Sequence, residues 1–173
     1  QADVAINGND SAITGHVLAK NIPNDNLNML WPLGLAPESR DWVTKNIYSG
    51  TYASAKARIN IASGDLAKPI LPREAIDADV VLQGASITYL PEHPEVTGVN
   101  ATIHIDGLTL NAKFNEGHYM RDTSIAGGEL KIDDLNDDNP YMKLSFDAHS
   151  SGRDVVKFLG LPRLGYAKRL GLS

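Results

Sequence analysis

The chain has 173 residues, of which 42% are hydrophobic and 21% charged, and it carries a formal net charge of -5 with no cysteine. That length suits one domain, that composition excludes intrinsic disorder, and the acidic balance argues against nucleic acid and against docking on anionic headgroups. The missing thiols exclude disulfides, thiolate catalysis and Cys-ligated zinc.

No stretch approaches the ~20 apolar residues that a membrane-spanning helix needs. The chain opens on Gln1 rather than Met, without a charged-then-apolar leader. We therefore expect a processed or excised piece of a longer protein, read as one β-rich segment, with any anchor outside it.

Residues 1–28 are expected to supply preceding strands, with candidates at 4–6 and 13–18 separated by the polar turn Asn7-Gly8-Asn9-Asp10. A helix and a strand come next, within 29–66. The helix spans 37–47: Pro37 suits the first turn, Glu38 and Asp41 sit near the positive end of the dipole, and Trp42, Val43 and Ile47 form a candidate buried stripe. The strand covers 53–61, with Ala55, Ala57 and Ile59 at alternate positions. Residues 67–77, containing Pro69 and Pro72, read as a connection.

From 78 to 150 the pattern is antiparallel strands. Short candidates lie at 80–82 and 87–89. In 102–106 and 108–114 every second residue is apolar, and Asp106-Gly107 between them predicts a two-residue hairpin turn. Asn115-Glu116-Gly117 and the polar run 136–140 read as punctuation, and 130–132 and 142–148 as further strands. Residues 151–173 form a C-terminal helical segment: Ser151 is the expected N-cap, Val155, Val156 and Leu159 share a face, and Gly160 and Pro162 end the helix. The predicted fold is mainly β: an extended, twisted antiparallel sheet, a groove or partly open barrel, with two short helices.

Chemistry-bearing patterns are sparse. His16, His93, His104, His118 and His149 show no metal-helix spacing. His104 and Asp106 share a strand's polar face and read as solvated. The acidic cluster Asp133, Asp134, Asp137 and Asp138, with Asn136 and Asn139, lacks the ligand order and terminal Glu of a calcium loop and reads as a turn, with weak calcium binding left open. Nucleophile elbows and phosphate loops are absent, so no catalytic residue, cofactor or metal is assigned. Paired glycosidase carboxylates leave no trace in sequence, so a glycan-acting enzyme stays as an alternative.

The apolar strand positions Ile103, Ile105, Leu108, Leu110, Phe114, Leu130, Ile132, Met142, Leu144 and Phe146 are expected to line one continuous surface. Alternation fits two readings: the closed core of a structural or adhesion-type module, which periodicity alone favours because large exposed apolar patches are rare in monomers, or a trough that holds hydrocarbon.

A family resemblance bears on that choice. Leu30-Trp31-Pro32, Ala36 to Val43 with Arg40-Asp41-Trp42-Val43, Asn46-Ile47 and Gly50 resemble a pattern in large AsmA-like, TamB-related proteins of Gram-negative bacteria. Ile87 to Pro91 with Pro94, Val99-Asn100-Ala101, Ile105-Asp106-Gly107 and Asp154 to Leu159 with Leu161-Pro162 resemble the next stretch of the same region in those proteins, so the likeness covers about residues 30 to 165. It implies a non-enzymatic domain of unknown function in a periplasmic protein anchored in the inner membrane. It further implies a curled sheet that binds or conducts phospholipid acyl chains towards the outer membrane and supports envelope integrity. Neighbouring β segments of the same longer chain would be its other partners, and Trp31, Pro32, Arg40 and Trp42 are its family-signature structural positions. Trp31, Arg40 and Trp42 are expected to dock the helix on the sheet.

Overall fold

A computed structural model of the chain describes residues 12–31, 37–65, 68, 72–88, 94–119, 122–135 and 141–159. Seven strands succeed one another in a single antiparallel sheet: β1 (Ile13–Pro23), β2 (Thr51–Ile61), β3 (Ile76–Ile87), β4 (Val96–Asp106), β5 (Thr109–Tyr119), β6 (Thr123–Asp133) and β7 (Tyr141–Ser150). Their spatial order is their sequence order, so each pairs only with its neighbours in the chain. The sheet is not closed into a barrel, since β1 and β7 do not pair.

Both expected helices are present, α2 (Pro37–Asn46) and α3 (Gly152–Leu159), together with a one-turn helix α1 (Leu27–Leu30). Helix α2 begins at Pro37 as expected, and Asn46 closes it by donating from Nδ2 to the Trp42 carbonyl at 2.7 Å. In α3 the Ser151 hydroxyl accepts from the Asp154 amide at 3.3 Å, the expected N-cap bond.

The strands are longer than their alternating runs because β-bulges carry them past polar interruptions. Residues 80–82 and 87 belong to one strand, β3, whose register slips between Leu82 and Ala85 around Gly84, at φ 63°. Asn115-Glu116-Gly117 is not a turn. It lies inside β5, where the β4 register shifts between Asn100 and Ala101 and leaves Asn115 as the extra residue. The β4–β5 hairpin is also one residue out of step with expectation. Asp106 pairs with Thr109, so the turn residues are Gly107, at φ 58°, and Leu108. The connection before β3 ends earlier than 77, because Ile76 and Asp77 are already paired. The strand candidate at 4–6, its adjoining turn, Pro32, Tyr89 and the run 136–140 fall outside the described residues.

The buried core sits at one end of the sheet. Ile47, Tyr52, Leu82, Ala85, Val99 and Ala101 form it, with Ile22, Leu27, Val43, Ile87 and Val96 against them. Helix α2 reaches this end through its last turn. Ile47 bridges to Ile87, the Tyr48 amide donates to the Ser86 carbonyl and the Thr88 amide to the Asn46 carbonyl, each of these two bonds at 2.9 Å. The turn from there into β2 needs Gly50: at φ 108° its absent Cβ would lie 2.8 Å from the Gln83 carbonyl oxygen.

Candidate functional site

Directly paired residues in an antiparallel sheet point to the same face, so register alone sorts the side chains. One transverse row reads Val17, Ala57, Ala78, Ile105, Leu110, Ile132, Met142. The next reads Ala19, Ala55, Val80, Ile103, Ala112, Leu130, Leu144. A third, beside the core, reads Tyr52, Leu82, Ala101, Phe114, Gly128, Phe146. The first two cross all seven strands without a polar residue.

The opposite face is charged. Lys56, Asp79, His104, Asn111, Lys131 and Lys143 form one row across it from β2 to β7, with the exposed Leu18 as its β1 member. His104 Nδ1 lies 2.9 Å from Asp79 Oδ1, Arg58 reaches Asp77 at 3.2 Å and Lys113 reaches Glu129 at 3.4 Å, all on exposed side chains. These pairs add little stability, but they mark this face as the wet one.

Nine of the ten expected lining residues lie on the apolar face. Leu108 does not belong to a strand of it: the slipped turn holds it in the hairpin, with its carbonyl accepting from the Leu135 amide at 2.8 Å. Ile103, Ile105, Leu110, Phe114, Leu130 and Ile132 are half-buried, while Met142, Leu144 and Phe146 are exposed. Among the described residues no second sheet covers this face. The first two rows also hold Val17, Ala19, Ala55, Ala57, Ala78, Val80 and Ala112, which were not among the expected lining residues. Their alternation was visible, but small alanines give weak contrast against polar neighbours.

At the core end the face is closed by polar as well as apolar contacts. Tyr52 is buried, and burial pushes its phenol pKa up to about 12. Its hydroxyl donates to Asn24 Oδ1 at 3.2 Å, and Asn24 Nδ2 donates to the Ile47 carbonyl at 2.8 Å. Arg40 does not dock α2 on the sheet. Its guanidinium donates to the carbonyls of Trp31 at 3.2 Å and Asn28 at 3.1 Å, clamping α2 to the end of α1. Trp42 is 47% exposed, so of the stripe predicted for α2 only Val43 and Ile47 pack inward.

A shallow depression of about 490 Å³ lies towards the β7 edge, lined by Phe114, Gly128 and Phe146 together with Lys113, Glu129 and Asp147 of the charged face. Phe114 occupies the space over Gly128: a Cβ there would stand 2.5 Å from Phe114 Cζ.

Compared with protein-family models, curated proteins and solved structures, the chain matches none.

Among the described residues no three His, Asp or Glu side chains gather as a metal site, and no helix is long and apolar enough to cross a membrane. Asp133, expected in the acidic turn, is instead the last residue of β6, paired with Tyr141, and its carboxylate meets Lys131 at 2.9 Å. Residues 136–140 of that cluster lie outside the described residues.

Proposed function

We propose that the chain is a non-enzymatic, acyl-chain-binding segment of an AsmA-like envelope protein. In this reading its parent is anchored in the inner membrane, lies in the periplasm, and carries phospholipid between the two membranes. The observation that supports this most is the pair of transverse rows, Val17 to Met142 and Ala19 to Leu144, apolar through all seven strands and opposed by a charged face. An acyl chain exposes CH₂ groups worth roughly 0.8 kcal/mol each on burial. A one-sided sheet shelters those groups while the headgroup stays in water, and no covalent step is needed.

The arrangement of the ends fits the same reading. Helix α2, Tyr52 and Asn24 close one end of the strands, whereas the rows run out to β1 and β7, where Val17 and Leu144 are 42% and 46% exposed. Neighbouring segments of a longer chain continue such a sheet by pairing at the open β1 edge.

Mass spectrometry of lipid extracted from the purified protein tests this. Phospholipid accompanies the unaltered chain and is lost from Leu144→Asp while the circular dichroism spectrum is unchanged. A chain that carries no lipid, or a variant that retains it, speaks against the proposal.

A further inference from the structure

Every residue of β7 is exposed, and one side of the strand pairs with β6. Among the described residues nothing pairs with its other side. Sheets normally blunt such an edge with proline, a bulge, a short strand or a charged side chain, and the charged residues of β7 are Lys143 and Asp147. β7 is ten residues long without proline, and where its pairing slips, between Ile125 and Gly127, the extra residue belongs to β6. Among the described residues the chain after β7 turns away from this edge. Helix α3 starts towards the β5–β6 connection, where Asp154 accepts from the Asp122 amide at 3.0 Å and from the Thr123 hydroxyl at 3.3 Å.

We propose that β7 is a self-complementary edge through which two copies of this chain pair, antiparallel about a twofold axis, joining two seven-stranded sheets into one. The residues of β7 select one register. Only pairs whose numbers sum to an even value set the apolar side chains Met142, Leu144, Phe146 and Ala148 opposite one another. Centring the pair on Lys143 or on Asp147 opposes like charges, which is unfavourable. Centring it on Ser145 opposes Lys143 to Asp147 of the partner subunit, twice by symmetry. It also opposes Leu144 to Phe146 of the partner subunit and Met142 to Ala148 of the partner subunit. Centring on Leu144 or Phe146 forms no such ion pair. A twofold axis perpendicular to the sheet keeps both apolar faces on one side, so their rows join.

The chain has no cysteine, so single-cysteine variants report the register directly. Ser145→Cys cross-links to its copy under mild oxidation. Tyr141→Cys does not, because two copies of residue 141 stand about 27 Å apart at ~3.4 Å per residue. In sedimentation, Lys143→Asp weakens the dimer roughly tenfold or more, since it opposes two pairs of acids, and adding Asp147→Lys restores it. A monomer at every concentration, equal cross-linking from positions 145 and 141, or no restoration in the double variant overturns the proposal.

Discussion

Phe114 lies across Gly128, its cross-strand partner, with its ring where a side chain at 128 would stand. The same missing side chain lets the Ser145 carbonyl oxygen approach from β7, 2.5 Å from the position a Cβ would take. Gly128 thus sets how closely three strands and one aromatic ring meet near the β7 edge of the apolar face.

Gly128→Ala therefore displaces Phe114 and strains the β6–β7 pairing. Overpacking of this kind costs ~1–3 kcal/mol. Urea unfolding measures it as a lower midpoint with an unchanged slope. Gly84→Ala, where a Cβ would meet nothing within 4 Å, is strained only by its φ of 63° and is the milder change.

Tyr52 gives the fold an alkaline limit. Its pKa is about 12 in the folded protein against 10.0 for the free phenol, so the folded state holds the proton more tightly. Its contribution is complete below pH 10 and is lost as pH rises from about 10 to 12. Thermal melts across that window fall more steeply for the unaltered protein than for Tyr52→Phe.

Asp65 acts in the opposite direction. Lys68 Nζ donates to it at 2.7 Å and the Ala62 amide at 2.9 Å, which together hold its carboxyl below the usual aspartate range. Its contribution is present above the unfolded aspartate pKa, ~3.9, and is lost as pH falls through the lower folded value. Asp65→Asn is less stable than the unaltered chain at neutral pH, and acid titration of the melting temperature shows the difference closing as pH falls.

Asp154 ties α3 to the sheet. It is 3% exposed and accepts from Asp122 and Thr123 at the β5–β6 connection. Asp154→Ala leaves a part-buried amide unpaired, at a cost of ~1–3 kcal/mol. Hydrogen exchange at the Val155 and Val156 amides then accelerates while β4 and β5 keep their protection.

Much of this architecture is written in the chain as period-two alternation. Ile103 and Ile105 on β4, and Leu130 and Ile132 on β6, take the faces their spacing predicts because register in a one-sided sheet is fixed by which face avoids water. Local polar residues were poorer guides. Asn115 and Glu116 look like a turn, but Asn100 Nδ2 donates to Glu116 Oε1 and Asn100 Oδ1 accepts from the Gly84 amide at 2.9 Å. A polar run at a bulge satisfies backbone and side chains across strands, and such partners are far apart in sequence. Leu108 misled for the opposite reason: Gly107 supplies the positive φ one position earlier in the turn than Asp106-Gly107 implied. Arg40 and Trp42 lie two residues apart on α2 and so occupy different faces: Arg40 meets α1 and Trp42 faces solvent, neither of which periodicity specifies.

Leu130 and Lys131 meet different surroundings, and the proposed function depends on that difference. They are consecutive in β6, one in the apolar row between Ala112 and Leu144, the other in the charged row between Asn111 and Lys143. A photoreactive benzophenone amino acid placed at either position in cells reports what each face touches. Mass-identified phospholipid adducts from position 130 and none from position 131 are the predicted result. Equal adducts from both positions, or none from position 130, would contradict it.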